Sequence, residues 1–544
     1  MKKLIIPSAV LIPKDMRKRF GEIPTSLFPL DNIPMIEHIY KYYSPLMDEI
    51  VLVVNKKADL IEDYVKRKKM NINIICLDEI KDLGYTIYQG LANSTERTDK
   101  VYIHFADTML LHNDDMPHDD CCCIDEECFN STWTFFKEEE GEIIDVFDKV
   151  ETLEMDTLSH FPFFIGAFSI NNPLFFEKCL SCQLERKNDK DCDSFYAALM
   201  QYSHRYPFEF KKVTEWFDVG HSEKYIQAKT GVKARNFNTI SIDEKRGILR
   251  KTSKNVNKFI HEIEWYIKLP SKIQYLIPRI YSYSIDRENP YVEMECYGYN
   301  TLHELLLFGE IPLYRWQDIF EKVRFAINDM EQYKVSYSND CDSAIREIYF
   351  SKTISRLNQL KSNELFERFF NEKIHINGKE YLSLNEYMNC IPGLVEKYLL
   401  NKKQNFTIIH GDLCFSNILL EENHGFVRVI DPRGEFGNYD IYGDPRYEMA
   451  KLLHSIEGKY DFIIEDLFDI SVEKTNIIYK MQKRTDRLLK VFYDVFRNEI
   501  EDINAVRFIE SLLFLSMIPL HSDYPKRQYA MLSTGVILLN SLLV

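Results

Sequence analysis

Four short apolar runs near the start of the chain constrain the fold more than any other feature: LIIPSAV (4–10), EIVLVV (49–54), INIICL (72–77) and KVYIHF (100–105). Between them lie PMIEHIYKYY, ADLIEDYVKRKK and GYTIYQGLANS, whose apolar residues recur at helical spacing. A strand that is apolar on both faces must be covered on both, and a helix between two strands lets them run parallel. Residues 1–235 are therefore expected to form an α/β domain, a doubly wound and mostly parallel sheet with helices on both faces. Ligands of such sheets sit beyond the carboxyl ends of the strands. Only 19 of 544 residues are glycine, and no repeat or low-complexity linker interrupts the chain. The boundary is read from a change of pattern near residue 236.

Composition narrows the partners. With 45% apolar and 28% charged residues the chain reads as a folded globular protein. Lysine and arginine number 68 against 84 acidic residues, a net charge of −16, so net charge draws it neither to nucleic acid nor to anionic lipid. No apolar run reaches about 18 uninterrupted residues, and no transmembrane helix is expected. The start, MKKLIIPSAVLIPKDMRKRF, loses its apolar run at Pro13-Lys14-Asp15 and reads as a first strand more than a signal peptide. Twelve cysteines are too dilute for a disulfide scaffold. Cys121, Cys122 and Cys123, with Cys128 close by, sit in the acidic stretch HNDDMPHDDCCCIDEEC. Without CxxC pairs they are expected in a surface loop, as reduced thiols of a cytoplasmic protein.

From 236 to 300 a small sheet lobe is expected. NTISIDEKRGILRKTS reads as a hairpin turning at Glu244–Gly247, NKFIHEIEWYIKLP as a helix stopped by Pro270, and RIYSYSI and YVEMECY as two strands. Residues 301–544 read as a helical lobe, interrupted only by NFTIIHGDLCFSNILLEENHGFVRVIDPRG at 405–434. That stretch carries the densest chemistry. His410-Gly411-Asp412 and Asn417 precede an apolar run, a turn at Asn423–Gly425 and the strand Val427–Ile430, which ends in Asp431. Phosphoryl transfer needs one carboxylate to accept or orient the proton of an attacking hydroxyl, and an amide and a second carboxylate to hold Mg²⁺ against nucleotide phosphates. Asp412 suits the first role, Asn417 and Asp431 the second, and hard oxygen donors favour Mg²⁺ over zinc.

The segment resembles the aminoglycoside phosphotransferase and choline kinase branch of the protein-kinase-like fold: a His-Gly-Asp loop, Asn five residues beyond the Asp, then an apolar strand closing in Ile-Asp. The resemblance implies that 236–544 is an α+β kinase-like domain using ATP and Mg²⁺, with Asp412 as catalytic base and Asn417 and Asp431 as metal ligands. It implies further that Lys251 contacts nucleotide phosphates and pairs with Glu262, although Lys254 and Glu264 compete for those roles. Backbone groups near Glu295 and Tyr297 would bind adenine. His410 would support the loop and Asp444 would brace it, with Glu448 where Asp is usual. No glycine-rich phosphate loop is visible.

Residues 1–235 resemble the sugar-phosphate nucleotidyltransferases, which include the cytidylyltransferases. The resemblance rests on FGEIPTSLFPLDNIPMIEHI, on His104-Phe105-Ala106-Asp107-Thr108 and on Trp216-Phe217-Asp218-Val219-Gly220. It implies that Asp107 and Asp218 hold a Mg²⁺ that screens a triphosphate while a substrate phosphate attacks. The family's first loop is glycine-rich; here the glycines are missing until Gly21, so Lys14, Arg17 and Arg19 are taken as the nucleotide-binding charges, and Thr25 stands at the usual lysine. Gly84-Tyr85-Thr86 and Trp133-Thr134-Phe135-Phe136 look base- and substrate-facing. Together the two resemblances imply a bifunctional enzyme. It would phosphorylate a small alcohol or sugar with ATP, then transfer a nucleotidyl group, CTP being favoured over UTP or GTP by analogy alone, to make a donor for capsule or lipopolysaccharide decoration. The alternative is a single-activity kinase whose front half is a degenerate binding module.

Overall fold

The structure is a computed structural model, which describes residues 1–544 apart from 56, 94–97, 127–132, 150–160, 187–192, 222–223, 226, 230–239, 244, 422–424, 482–484 and 544. Cys128, the 235/236 boundary, Glu244 and Asn423 thus lie outside the described residues. The chain divides into two compact units: Met1–Val232 with Phe308–Glu310, and Lys233–Leu307 with Ile311–Val544.

In the first unit the four apolar runs form the strands Lys2–Ser8, Glu49–Val54, Asn73–Cys76 and Lys100–His104. All pair in parallel, Lys2–Ser8 lying between Glu49–Val54 and Lys100–His104. Ile5, Val51, Val53 and Ile103 are fully buried; each such side chain contributes about 1.5–3 kcal/mol relative to exposure. The sheet continues differently beyond Lys100–His104. Phe163–Ile170 pairs antiparallel with it and with Cys121–Asp125, and the hairpin Thr134–Glu139/Glu142–Asp148 closes that edge. Among the described residues the sheet has nine strands and is mixed rather than mostly parallel; the turn at Glu140–Gly141 makes one antiparallel hairpin, whereas Glu209–Lys212, reached through the helices Pro173–Glu185 and Ser194–Ser203, pairs parallel with Cys121–Asp125.

The cysteine run is no surface loop. Cys121–Asp125 is an interior strand, and Cys121, Cys122 and Cys123 are all 0% exposed. A free cysteine behaves as a small hydrophobe, so Cys-Cys-Cys-Ile is one more apolar run, and burial pushes the Cys122 thiol well up.

The second unit opens with a four-stranded antiparallel sheet in the spatial order Ile240–Asp243, Ile248–Lys251, Tyr291–Glu295, Ile280–Ser284. The helix Val256–Lys268 follows its first hairpin. The Asn255 side chain caps it by accepting from Lys258 N, and Phe259, Ile263 and Tyr266 bury one face. The remainder is mainly helical, but not as uniformly as the sequence pattern predicts. A second four-stranded sheet joins Ile374–Ile376, Lys379–Tyr381, Phe468–Glu473 and Asn476–Met481. Its first hairpin turns on Asn377-Gly378, both at positive φ (52° and 81°), a two-residue turn that these residue types favour. Among the described residues one stretch, Ile503–His521, is long and apolar enough to cross a membrane by length and composition. It lies 67% buried, against the helices Arg446–Ile456 and Pro525–Asn540, and serves as a core element of this unit.

Candidate active sites

In the second unit the chain runs from the strand Phe406–Ile408 into His410-Gly411-Asp412, through one 3₁₀ turn at Phe415–Asn417, and out along Ile418–Glu421. This last strand pairs antiparallel with Phe426–Val429, Ile418 opposite Val429. Ile430 N donates to Asn417 O at 3.0 Å, so the hairpin returns Asp431 beside Asn417. Asp431 takes the left-handed conformation, φ 58°, which Asp tolerates better than most residues. Its N–H donates to Tyr266 Oη at 2.9 Å.

Three buried groups hold the loop. The Glu448 carboxylate accepts from His410 N (3.1 Å) and Gly411 N (2.9 Å), and burial pushes its carboxyl up to about 7. His410 bridges Ile430 O through Nε2 (2.9 Å) and accepts from Asp412 N at Nδ1 (3.3 Å). That pattern suits a neutral ring protonated on Nε2, and burial lowers its pKa to about 4. Trp265 Nε1 donates to Ile409 O at 2.7 Å. The half-buried Asp412 carboxylate meets Lys451 Nζ at 2.7 Å. Burial alone would raise the Asp412 carboxyl; Lys451 outweighs it and holds the group below its ordinary value.

Lys251 bridges two acids, Glu262 Oε1 at 2.7 Å and Asp431 Oδ1 at 2.8 Å, whereas Glu264 pairs with Lys268 at 3.1 Å. Burial pushes Glu262 up to about 7, against the pull of Lys251. Asn417 Nδ2 donates to Asp412 O at 2.9 Å, which turns Oδ1 away from Asp412. Mg²⁺ takes one or two protein donors and fills its shell with water and phosphate oxygens. Asn417 Oδ1 and the second Asp431 oxygen fit that demand. Among the described residues no group of three or more His, Cys, Asp or Glu side chains is arranged for a metal.

Glu295 and Tyr297 are joined by a hydrogen bond from Tyr297 Oη, 2.5 Å. The Tyr297 ring stacks on Tyr299 at 4.8 Å and faces the Arg428 guanidinium at 4.7 Å. They border a cleft of about 830 Å³ shared with Tyr266, Tyr281 and Arg428.

In the first unit the short ladder Thr108–Leu110/Trp216–Asp218 sets Asp218 opposite Thr108, beside Asp107. Val219 N donates to Asp107 O at 2.9 Å. A Cβ on Gly220 would lie 2.8 Å from Asp107 Oδ2 and 3.1 Å from Asp218 Oδ1, so the two carboxylates converge where only glycine leaves room. Burial, then the Asp218 charge, pushes the Asp107 carboxyl up to about 6. Asp218 accepts from Gly220 N (2.7 Å) and meets His221 Nδ1 (2.6 Å), a bond that raises the His221 pKa. The His221 ring lies 5.2 Å from Trp133, which also meets Trp216 at 5.2 Å. Two converging carboxylates again fit a divalent cation whose remaining ligands are phosphate and water.

The sequence matches no protein-family model and no curated protein. Solved structures align with part of it. The CTP:phosphocholine cytidylyltransferase of Streptococcus pneumoniae does so at 14% identity and TM-score 0.34, over 42% of this chain and 99% of its own. The inositol-1-phosphate CTP transferase of T. maritima aligns at 12% identity and TM-score 0.31, over 41% of this chain and 90% of its own. The 4-diphosphocytidyl-2C-methyl-D-erythritol synthase of Anaerococcus prevotii aligns at 14% and TM-score 0.30, over 43% and 98%. Identities this low transfer no residue roles.

Other expected residues have these partners and positions. Asp444 binds Arg446 (Nε–Oδ1 2.8 Å, Nη2–Oδ2 2.9 Å) and Tyr349 Oη (3.1 Å); the loop amides go to Glu448 instead. Lys14, Arg17 and Arg19 lie on the short helix Lys14–Phe20. Lys14 is exposed, and Arg17 Nε donates to Ile12 O at 2.7 Å. Buried Thr25 donates to Val10 O at 3.3 Å. Gly84 is a packing residue, since a Cβ there would meet Ser194 Oγ at 2.1 Å. Lys451 and His221 were not foreseen. Lys451 follows Glu448 by three positions on the helix Arg446–Ile456; a lysine on the same helical face as a loop-bracing acid is the signal that could have found it. His221 directly follows Asp218-Val219-Gly220.

Proposed function

We propose that the protein is a bifunctional transferase. The second unit phosphorylates the hydroxyl of a small metabolite with ATP. The first joins the resulting phosphate to a nucleotidyl group, with CTP the first candidate donor, giving an activated donor for capsule or lipopolysaccharide decoration. The observation that carries the kinase reading is the convergence at the 410–431 hairpin. Asp412 is held by Lys451, Asn417 is oriented by Asp412, and Asp431 is reached by the Lys251–Glu262 pair. In the transfer, the acceptor oxygen bonds to the γ-phosphorus as the bond to the β–γ bridging oxygen breaks. ADP leaves with that electron pair, and the hydroxyl proton passes to Asp412. Lys251 offers positive charge to the phosphates while Glu262 fixes its direction. A divalent cation held by Asn417 and Asp431 would screen the triphosphate. In the first unit, Asp107 and Asp218 would hold the cation that screens the second nucleotide, and His221 fixes the Asp218 carboxylate.

A second reading has its own support. Arg17 Nε and Thr25 Oγ1 each donate to a carbonyl of the first loop, as expected of a closed binding module beside a single-activity kinase. The deciding experiment incubates full-length protein with ATP, CTP, UTP or GTP, Mg²⁺ and a panel of alcohols and sugars, with products read by mass spectrometry. A nucleotide-linked product and pyrophosphate support bifunctionality. ADP with a phosphorylated acceptor and nothing further supports the second reading. Neither product across the panel defeats both.

A further inference from the structure

Around the catalytic loop the second unit gathers four cations, Lys352, Arg356, Arg433 and Lys451. Lys352 and Arg356 stand one turn apart on the helix Lys352–Gln359. Arg433 is anchored to the catalytic loop: its N–H donates to His410 O at 2.9 Å, and its side chain passes 3.0 Å from where a Gly411 Cβ would be. Lys451 completes the group from the helix below. Their partners are mostly neutral. Arg433 donates to Tyr447 Oη (3.3 Å), and Arg356 to Ser516 O (3.2 Å). Among the described residues no hydrogen bond or ion pair reaches the half-buried Lys352 ammonium. Glu435, whose charge acts on Lys352, lies 2.7 Å from His261 Nδ1. Burial, and then the charges of Arg433, Arg356 and Lys451, push the Lys352 ammonium down to about 6. An anion seated among these groups would favour the charged form of Lys352, and guanidinium forks match phosphate and carboxylate oxygens.

We infer that Lys352, Arg356 and Arg433 form an oxyanion subsite for the acceptor, so that the alcohol phosphorylated at Asp412 carries a phosphate or carboxylate of its own. This rests on the kinase reading, and the measurements separate the two. Full-length protein is titrated calorimetrically with glycerol 3-phosphate, with glycerate and with uncharged glycerol. At least one anion is expected to bind while glycerol does not, and Lys352→Met and Arg356→Met should each weaken it tenfold or more. Lys352→Arg, which keeps the charge, should stay within about threefold of wild type and covers the case in which a Met variant fails to fold. The phosphate and carboxylate arms tell which oxyanion the subsite prefers. Anions that bind no better than glycerol, or equally well to the Met variants, overturn the subsite. A Lys352→Met enzyme with a raised KM for ATP and an unchanged KM for the acceptor also overturns it, by assigning the cations to the triphosphate. ADP formed only from neutral or cationic alcohols does the same while leaving the kinase reading standing. Charge-dependent anion binding without Asp412-dependent ADP formation sinks the kinase reading and leaves the subsite.

Discussion

At the scale of single residues, the Asp412–Lys451 pair sets how the kinase site should respond to pH. Burial would raise the Asp412 carboxyl, and Lys451 at 2.7 Å holds it down instead. Lys451→Met removes the opposing charge, so the Asp412 pKa must rise and the acid limb of the pH–rate profile must move to higher pH. Asp412→Asn should cost roughly 10²–10⁴-fold in turnover, the usual range for a lost general base, without a comparable change in ATP binding. Both are read from kcat/KM for ADP release between pH 4 and 9; an acid limb that stays in place in Lys451→Met would refute the pairing as the cause. His410, Asp412, Asn417 and Asp431 were legible in the sequence because a short loop and hairpin bring them together locally. Glu448 and Lys451 were not, because the register of the helix Arg446–Ile456 against that loop is a tertiary fact. The expected brace, Asp444, is two residues from an arginine that claims it.

At the scale of elements, two polar arrangements, one partly and one fully buried, carry stability that can be measured. In the first unit the helices Leu83–Ala92 and Ser194–Ser203 meet at their N-termini and cap one another. Asp193 accepts from Leu83 N and Gly84 N, and Asp82 accepts from Ser194 N. With Ser194 Oγ only 2.1 Å from a Cβ on Gly84, Gly84→Ala should destabilise the unit by about 1–3 kcal/mol through overpacking, visible as a lower urea midpoint. In the second unit buried His303 binds Asp461 at 2.7 Å, with Glu465 at 3.7 Å. Burial alone would lower the ring's pKa; the two acids outweigh it and push it up to about 10. A pKa raised above the unfolded value of about 6.5 contributes stability that is full below pH 6.5 and is lost as pH rises through 10. Breaking a buried pair costs about 3–5 kcal/mol, so His303→Gln should be much less stable than wild type at pH 6, with the gap closing toward pH 10.

Elements also show where the pattern misled. The four parallel strands were readable because each is a continuous apolar run. The antiparallel half of the sheet was hidden in Cys-Cys-Cys-Ile-Asp and Phe-Phe-Ile-Gly-Ala-Phe, runs without the spacing of strand–helix–strand units. The hairpin at Asn377-Gly378 had a turn signal, but its strands are only three residues each, too short to show an alternation.

At the scale of the whole molecule, the proposal makes the two chemistries successive: the phosphorylated product of one unit is the substrate of the other. Separation by mutation follows. Asp107→Asn removes one of the two carboxylates converging at Gly220, so it should abolish pyrophosphate release, leave ADP formation intact and let the phosphorylated acceptor accumulate. Asp412→Asn should do the reverse, and supplying acceptor that is already phosphorylated should restore the nucleotide-linked product. Because each unit is compact, each substitution should leave the melting of the other unit unchanged. Mixing the two variants is the sharper test. If the intermediate diffuses, the mixture regains product after a lag that shortens as protein concentration rises; if each site needs the other intact in the same chain, the mixture stays silent. Nucleotide-linked product from Asp107→Asn alone, at the wild-type rate, would remove Asp107 from the chemistry of the first unit.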